Sequence, residues 1–230
     1  STVANLTKLN WAKTVHFAIG KILIKHFKNY INENDVVSFS GGCAANVIWN
    51  TELKNAFKNL IVFPHCSDEG LSLGIIEFFR KKHNLGNRSF LFDPRNTHGK
   101  EIVNKIKKRE NYRPFAGTIL LEHVNDWFEM GSIKESPYML FCVPVKEHKK
   151  NIIPSIIHVD GTCRIQTVTQ EQNKNFYNLI KCFYKKTNVP ILLNTSFNIA
   201  GETLVNDRSQ ALDTIQRCEI EHLYIPGDNL

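Results

Sequence analysis

Short apolar strands and helix-like segments alternate in the first part of the chain, and glycine-bearing loops join them. Residues 35–40 form a β-branched and aromatic run that ends on a Gly-Gly pair, and residues 43–50 then resume an apolar, helical pattern. A second run, at 60–63, leads through a Ser-Asp-Glu-Gly loop into a helix-like segment at 71–79. This alternation predicts a mainly parallel α/β layer whose loops lie along one edge of the sheet, where ligands usually bind.

The pattern changes after residue 79. A polar stretch leads into a predicted turn at 85–89, and we place a domain boundary there, which gives domains 1–79 and 80–230. Predicted strands of the second domain lie near 117–121, 138–144, 164–169 and 189–194, and predicted helices lie at 101–109 and 170–186. This mixture is typical of an α+β domain, so the expected fold class is α/β plus α+β.

The net charge of the chain predicts a preference for anionic partners. Lys and Arg outnumber Asp and Glu by 29 to 22, which gives a formal charge of +7. Much of this excess lies in short runs, a pattern that is also typical of solvated faces. Nucleic-acid binding is disfavoured, because the aromatic residues fall in apolar runs and not along a basic stripe.

The cysteine and hydropathy patterns predict a soluble protein of the cytoplasm. The six cysteines are far apart and form no C-x-x-C pair, so neither a zinc ribbon nor a redox dithiol is indicated. Lysines interrupt the apolar segment 11–27 at helical spacing, which predicts an amphipathic helix. No apolar run approaches the roughly 20 residues of a membrane span, so no membrane partner is expected.

Two loops of the first domain carry candidate ligand-binding residues. At Gly41 and Gly42 the backbone can approach a ligand closely, and a following helix offers free N–H groups to a phosphate. An ordinary tight turn is the alternative, because the sequence matches neither the P-loop nor the G-x-G-x-x-G fingerprint. Asp68, after the second strand, could ligate a divalent metal ion or orient a hydroxyl; an Asx turn is the alternative.

A cationic cluster lies near the start of the second domain. Lys107 and Arg109 are followed by Arg113, which precedes a proline and is therefore expected to be extended. The planar guanidinium and the compact ammonium together suit a ligand with several phosphoryl oxygens, whereas a solvated helix face is the alternative.

His158 and Asp160 lie two residues apart, so an extended chain would place them on one face, with Arg164 after the turn. A structural imidazole is the alternative role for His158, since no serine is obviously paired with it. Residues 192–198 end a predicted buried strand with small polar side chains, which suit a nucleotide or a carbamoyl amide.

In their order along the chain, these motifs resemble the O-carbamoyltransferases that modify nodulation factors, cephem antibiotics and aminoglycosides. The resemblance extends from about Val36 to the C-terminus. The blocks that carry it are S-G-G-C-A-A-N at 40–46, S-D-E-G-L-S-L-G at 67–74, L-G-N-R-S-F-L-F-D-P-R at 85–95, R-P-F-A at 113–116, W-F-E at 127–129, H-V-D-G-T-C-R-I-Q-T-V at 158–168 and L-L-N-T-S-F-N at 192–198.

This resemblance implies an ATP-dependent enzyme that makes carbamoyl adenylate from ATP and carbamoyl phosphate. The second domain is similar to threonylcarbamoyl-AMP synthases, whose K-x-R and S-x-N signatures match 107–109 and 196–198. By that similarity the catalytic cations, acting with Mg²⁺, are Lys107, Arg109, Arg113 and Arg164. The implied substrate-binding or nucleotide-binding residues are Arg88, Arg95, His158, Asn194, Ser196 and Asn198.

The first domain is similar to the end of the actin-like, sugar-kinase-like domain of threonylcarbamoyl transferases. There the hydroxyl of a small-molecule acceptor attacks the carbamoyl carbon. The similarity implies adenylate contacts from Gly41, Gly42 and Asn46, and an Fe²⁺ contact from Asp68. The iron-binding histidine pair of this family has no H-x-x-x-H counterpart in the sequence. Iron is therefore expected only with a missing N-terminal segment or a separate subunit.

A second departure concerns the junction between Gly74 and Leu85, where the family has a much longer stretch. Either the protein is a deletion variant or a segment is missing from the sequence. The alternative to an active carbamoyltransferase is a truncated, non-catalytic module that binds a nucleotide or carbamoyl phosphate.

Overall fold

The computed structural model describes residues 2–32, 34–62, 89–218, 220 and 222–224. Its helices and strands are α1 (Thr2–Phe27), β1 (Val37–Phe39), α2 (Val47–Ala56), β2 (Leu60–Val62), β3 (Ser89–Phe92), α3 (Gly99–Ile106), β4 (Ala116–Leu120), α4 (Val124–Trp127), β5 (Phe141–Pro144), β6 (Thr162–Val168), α5 (Lys174–Thr187), β7 (Ile191–Ser196) and α6 (Arg208–Cys218). Short 3-10 helices lie at Gly42–Ala45, Leu121–His123, Glu147–Ile152 and Pro154–Ile156. The predicted helix at 71–79 and the predicted domain boundary lie outside the described residues.

The first part of the chain follows the predicted order of strand, glycine turn and helix. Strands β1 and β2 pair in parallel, with Val37 opposite Leu60, as the α/β prediction required. The predicted helix at 43–50 is divided, however, because Asn46 is the N-cap of α2 and ends the 3-10 helix before it. Leu53 of α2 packs with Leu60 and with side chains of α1, so this unit has a small apolar core of its own.

The second part forms a five-stranded mixed sheet with the strand order β3-β7-β4-β6-β5. Strands β4 and β6 are parallel and the other neighbours are antiparallel. The predicted strands of this part are present, and the mixture of strand directions and helices agrees with the predicted mixed class. One helix prediction is wrong at its end: α3 stops at Ile106, and Lys108 adopts a left-handed conformation with φ of 52°.

The two faces of this sheet differ in what covers them. On one face, Ile119, Ile165 and Ile191 project from the three central strands into the largest apolar core, which also contains Val143 and Leu193. Burial of each such side chain stabilises the fold by about 1.5–3 kcal/mol. The other face is divided. Its apolar end packs beneath α5, and its other end is polar.

Helix α2 joins the first part of the chain to the free edge of the sheet. The backbone N–H of Cys142, on edge strand β5, donates to Thr51 Oγ1 at 2.9 Å. The Asn50 amide donates to the carbonyl of Leu140 at 3.1 Å, and Ser132 Oγ donates to the carbonyl of Lys54 at 2.8 Å. An edge strand presents unpaired backbone groups, and α2 occupies two of them at the start of β5. Among the described residues, no helix has the length and apolar character needed to cross a membrane.

Substitution Ile165→Ala is expected to lower the free energy of unfolding by about 2–5 kcal/mol, because Ile165 is fully buried and its loss leaves a cavity beside neighbouring strands. Urea denaturation measures this change. The exposed Leu179→Ala on α5 is the control and should stay within about 0.5 kcal/mol of the unsubstituted protein. Equal effects of both substitutions would contradict this account of the core.

Candidate functional site

The polar end of the divided sheet face is formed by side chains from the three central strands. Arg164 on β6 lies opposite Ala116 on β4, and Ala116 lies opposite Asn194 on β7. Directly opposed residues project to the same face, so Thr118 and Gln166 belong to this face as well. Further along the same strands, Leu120, Val168 and Leu192 pack against α5. Helix α5 therefore covers the apolar end of this face and leaves the polar end to other groups.

Lys107 joins the two signatures that lie far apart in the sequence. Its Nζ atom donates to the carbonyls of Ser196 and Asn198 at 2.5 Å and 2.7 Å, and it lies 3.2 Å from Asn198 Oδ1. The side chain is only 2% exposed. Burial, together with the nearby charge of Arg109, lowers the pKa of Lys107 to about 8. The K-x-R and S-x-N segments thus meet at the end of β7.

Arg109 and Arg113 lie beside this junction. Arg109 Nε donates to Asn104 Oδ1 at 2.5 Å, and its guanidinium carbon lies 4.3 Å from the centroid of the Phe115 ring. Arg113 is half-exposed and pairs with Glu110 at 2.8 Å. Burial lowers the pKa of Arg109, and the charges of Arg113 and Arg164 lower it further. The guanidinium groups of Arg113 and Arg164 are therefore both close enough to Arg109 to repel it.

Arg164 differs from Lys107, Arg109 and Arg113 in making no hydrogen bond to the described residues through its side chain. Burial lowers the pKa of its guanidinium. In the described part of the chain, no hydrogen bond or ion pair is made by this group. A largely buried cation without a partner is costly, and an anionic ligand would remove that cost. Of the predicted catalytic residues, Arg164 is thus the one whose surroundings best suit the binding of a phosphate.

The amide of Asn194 lies at the centre of the polar end. Its Nδ2 atom donates to Thr118 Oγ1 at 2.8 Å and to Gln166 Oε1 at 2.9 Å. Its Oδ1 atom is buried and has no hydrogen-bond partner within the part of the chain that the structure describes. The sequence analysis did not identify Thr118 and Gln166 as site residues. The sequence did show a polar side chain within each predicted strand. The sheet face to which that side chain projects, however, follows only from the register of the strands.

His158 lies near this end of the sheet but not on a strand. The prediction that His158 and Asp160 share one face of an extended chain is wrong, because both lie in a turn in which Gly161 has φ of 80°. His158 Nδ1 lies 3.0 Å from Thr162 Oγ1, and Asp160 Oδ1 accepts from the same hydroxyl at 2.7 Å. Burial lowers the pKa of His158 although the Asp160 carboxylate opposes the shift, so the imidazole is neutral at pH 7.

One predicted binding residue is not brought to this site. Arg95 follows the end of β3 that points away from Ser196. It pairs with Asp93 at 2.6 Å, and its guanidinium carbon lies 5.4 Å from the centroid of the Phe183 ring. The structure thus gives Arg95 an ion pair at the α5 end of the sheet.

The predicted glycine turn belongs to the first part of the chain and not to the five-stranded sheet. Gly41 has φ of 93°, which favours glycine, and a Cβ atom at Gly41 or Gly42 would meet none of the described residues within 4 Å. The side chain of Asn46 is already engaged, because its Oδ1 accepts from the N–H groups of Ile48 and Trp49 at 3.1 Å and 3.2 Å. Asn46 therefore caps α2 and occupies two of the helix N–H groups that the sequence analysis expected to meet a phosphate.

Arg88 and Asp68 lie outside the described residues, so the binding and metal roles predicted for them stay predictions. Within the ranges that the structure describes, no three His, Cys, Asp or Glu side chains come together as a metal site.

Comparison with known families adds a direct assignment. A family model of the carbamoyltransferase C-terminus matches residues 75–229, and one of the carbamoyltransferase N-terminus matches residues 2–76. The chain belongs to the carbamoyltransferase family. This confirms the resemblance seen in the sequence motifs and places the chain in a family of transferase enzymes.

Its relatives include bacterial nodulation proteins and an archaeal protein. Nodulation protein NolNO of Sinorhizobium fredii is 46% identical over 143 residues, which cover 61% of this chain and 21% of that protein. NolO of Bradyrhizobium diazoefficiens is 43% identical over 143 residues, covering 61% and 26%. MJ1051 of Methanocaldococcus jannaschii is 28% identical over 288 residues, covering 95% and 55%. The chain thus spans from about a fifth to just over half of the length of these relatives.

The alignment with MJ1051 is longer than the chain itself, 288 residues against 230. That relative therefore carries residues that this carbamoyltransferase chain lacks within the aligned span. The short stretch between Gly74 and Leu85 is where the sequence motifs predict such a difference.

The buried ammonium of Lys107 predicts a particular dependence of stability on pH. The folded-state pKa of Lys107, about 8, lies below the ordinary lysine pKa of 10.5, so the unfolded chain holds more protons between these two pH values. The unfolding free energy should therefore rise with pH from about 8 to 10.5, relative to a Lys107→Met variant, by at most about 3 kcal/mol.

Urea denaturation of the two proteins at pH 7.5, 8.5 and 9.5 measures this difference, in which the titration of all other groups cancels. A constant difference across the three pH values would show that Lys107 does not titrate in this range.

Proposed function

We propose that this protein forms carbamoyl adenylate from ATP and carbamoyl phosphate and transfers the carbamoyl group to a hydroxyl of a small molecule. The observation that carries the proposal is the junction of Lys107 with Ser196 and Asn198 beside the unpaired cation of Arg164. This is the arrangement that the similarity to threonylcarbamoyl-AMP synthases implies, and it lies in a chain of the carbamoyltransferase family.

The chemistry needs a site that neutralises several phosphoryl oxygens. Carbamoyl phosphate first reacts with water to give carbamate and inorganic phosphate. A carbamate oxygen then attacks the α-phosphorus of ATP, its bond to phosphorus forms, and pyrophosphate leaves. Negative charge develops on phosphoryl oxygens in both steps, and fixed cations stabilise it without reorganisation. Arg164 supplies a guanidinium that needs an anion, while the charges of Arg109 and Arg113 raise the local positive potential.

The second half of the reaction is proposed for the first part of the chain. There the acceptor hydroxyl attacks the carbamoyl carbon, and AMP leaves. The open backbone at Gly41 and Gly42 suits close approach of the adenylate. Helix α2 follows this turn and bonds through Thr51 to Cys142, which lies directly opposite Arg164 in the sheet. The two proposed sites are therefore linked through one helix and one strand, which favours use of a shared intermediate.

Metal ions enter this proposal in two ways. We propose that Mg²⁺ arrives as the complex with ATP and shares the neutralisation of its phosphates. For Fe²⁺ the described residues form no suitable group of ligands, so no step is assigned to iron. A histidine-bearing N-terminal segment or subunit is proposed as the partner that would complete an iron site with Asp68. We place the reaction in the cytoplasm, where carbamoyl phosphate and ATP would both be available to it.

The test is ATP–pyrophosphate exchange that depends on carbamoyl phosphate, measured with the purified full chain and Mg²⁺. The unsubstituted protein should catalyse exchange, and Arg164→Ala should lower its rate by about 100-fold or more, because a preorganised charge is lost. Lys181→Ala on the exposed side of α5 removes one positive charge away from the site and should keep the rate within about twofold.

Exchange that is unaffected by Arg164→Ala would contradict the proposed site. Binding of ATP without any exchange in the unsubstituted protein would instead favour the non-catalytic binding module.

A further inference from the structure

The glycine turn at 41–45 depends on neighbouring residues for its shape. Its sequence is Gly-Gly-Cys-Ala-Ala, which contains no polar side chain apart from the exposed thiol of Cys43. Two asparagines hold the turn. Asn50 Nδ2 donates to the carbonyl of Ala44 at 2.8 Å, and the backbone N–H of Asn46 donates to the carbonyl of Cys43 at 3.1 Å and ends the 3-10 helix there. The geometry of the turn therefore depends on where these two asparagines are held.

The direction of the Asn46 amide follows from its hydrogen bonds. The backbone N–H groups of Ile48 and Trp49 can only donate, so the Asn46 atom that they meet is the acceptor Oδ1. Nδ2 therefore points toward His16 on α1 and lies 2.6 Å from its Nε2 atom. Because an amide nitrogen can only donate, Nε2 must be the ring nitrogen that carries no proton. His16 thus supplies the acceptor that holds the cap residue of α2 in place.

His16 is itself held in a fixed position against α2. Its ring stacks on the ring of Trp49, with the centroids 4.9 Å apart and the two planes at 24° to each other. Its backbone carbonyl accepts from Trp49 Nε1 at 3.1 Å. Four residues further along α1, a Cβ atom on Gly20 would lie 3.1 Å from the Trp49 ring and 2.9 Å from the Glu52 carboxylate, so glycine permits the close approach of the two helices. An imidazole that is fixed at its ring and at its backbone can in turn fix the amide that donates to it.

We propose that His16 is a positioning residue for carbamoyl transfer. It holds the Asn46 amide, and through Asn46 it keeps the glycine turn in the shape that receives the adenylate. This inference rests on the proposed function, which places the transfer step at Gly41 and Gly42. It also changes the role of Asn46, because both the oxygen and the nitrogen of its amide are engaged by the protein. Asn46 acts on the ligand through the turn, and α1 supplies a part of the site.

Removal of the acceptor on His16 would leave Asn46 Nδ2 without its partner. A partly buried donor without a partner is costly, so the amide would rotate toward other groups and release the N–H groups that it caps. The turn would then adopt its binding geometry for only part of the time, and the apparent dissociation constant rises in inverse proportion to that fraction. Asn50 would still hold Ala44, so binding should be weakened and not abolished.

The experiment measures the binding of AMP, the leaving group of the transfer step, by isothermal titration calorimetry on the full chain. Every protein in this measurement carries Arg164→Ala, which weakens nucleotide binding at the polar end of the five-stranded sheet and leaves the glycine turn unchanged. His16→Phe keeps a ring to stack on Trp49 but removes the acceptor, and it should raise the dissociation constant about tenfold. His16→Gln places its Oε1 atom where Nε2 lies, so binding should return to within about threefold of the protein with His16.

Two further variants guard against a general loss of folding. His26→Phe makes the same substitution ten residues along α1, roughly 15 Å from His16, and should leave AMP binding within about twofold. Asn46→Ser keeps an N-cap for α2 but cannot reach His16, so it should weaken AMP binding about as much as His16→Phe does. The double variant should bind no more weakly than either single variant, because both substitutions remove the same hydrogen bond. The thermal midpoint shows whether each variant is folded.

ATP–pyrophosphate exchange, measured on the same variants with Arg164 restored, separates the two levels of the proposal. Exchange within about twofold of the unsubstituted protein, together with the AMP results above, supports the role of His16. If His16→Phe and His16→Gln weaken AMP binding equally, or if neither weakens it, the role given to His16 is wrong, while intact exchange leaves adenylate formation standing.

Two other results would overturn more. If the Arg164→Ala protein binds no AMP, the glycine turn is not a nucleotide site and the inference about His16 fails. If the unsubstituted protein catalyses no exchange, the proposed function fails, and the transfer step in which His16 takes part fails with it.

Discussion

The burial of one ammonium group organises the candidate site. Removing Lys107 from water has a large desolvation cost, and oxygen atoms of Ser196 and Asn198 offset it. Oxygen atoms at the end of β7 thereby surround the ammonium group of Lys107. The same contact fixes the turn after α3 against the end of β7. This turn carries the chain toward Arg109, and β7 carries Asn194. One interaction between segments distant in sequence thus sets the relative position of the cations and of the amide that faces them.

A second organising feature is the division of one sheet face into an apolar and a polar end. On β4, Ala116, Thr118 and Leu120 project to the same side in that order, and only Leu120 lies in the cluster under α5. Because the helix covers the apolar end, the hydrophobic contribution that holds the layers together is kept apart from the groups available to a ligand. The polar end can therefore carry charges that need not be neutralised by the fold.

The sequence predicted six of the seven described strands, because β-branched runs between turn residues mark them, but it missed β3 at Ser89–Phe92. It also predicted the glycine turn of the first part. The N-cap role of Asn46 was readable in principle, since Asn before a helical pattern is a start signal. The meeting of residues 107 and 196 could not be derived from spacing; it followed only from the family resemblance. Thr118 and Gln166 were missed because their shared face depends on the register of two strands that are 48 residues apart. Helix α3 ends earlier than predicted because Lys108 is left-handed. The sequence has no glycine or asparagine at that position that would have indicated the end of the helix.

The contact between α2 and the edge strand β5 has a consequence for how the two family regions depend on each other. The backbone N–H of Cys142 is bonded to Thr51, so it is not available to a strand of another molecule. A chain severed between the regions would uncover that N–H and the carbonyl of Leu140, and such a bare edge recruits neighbouring chains into intermolecular sheets. The first region thus protects the edge strand of the second region from self-association. This protection is a physical reason for both regions to be retained in one polypeptide.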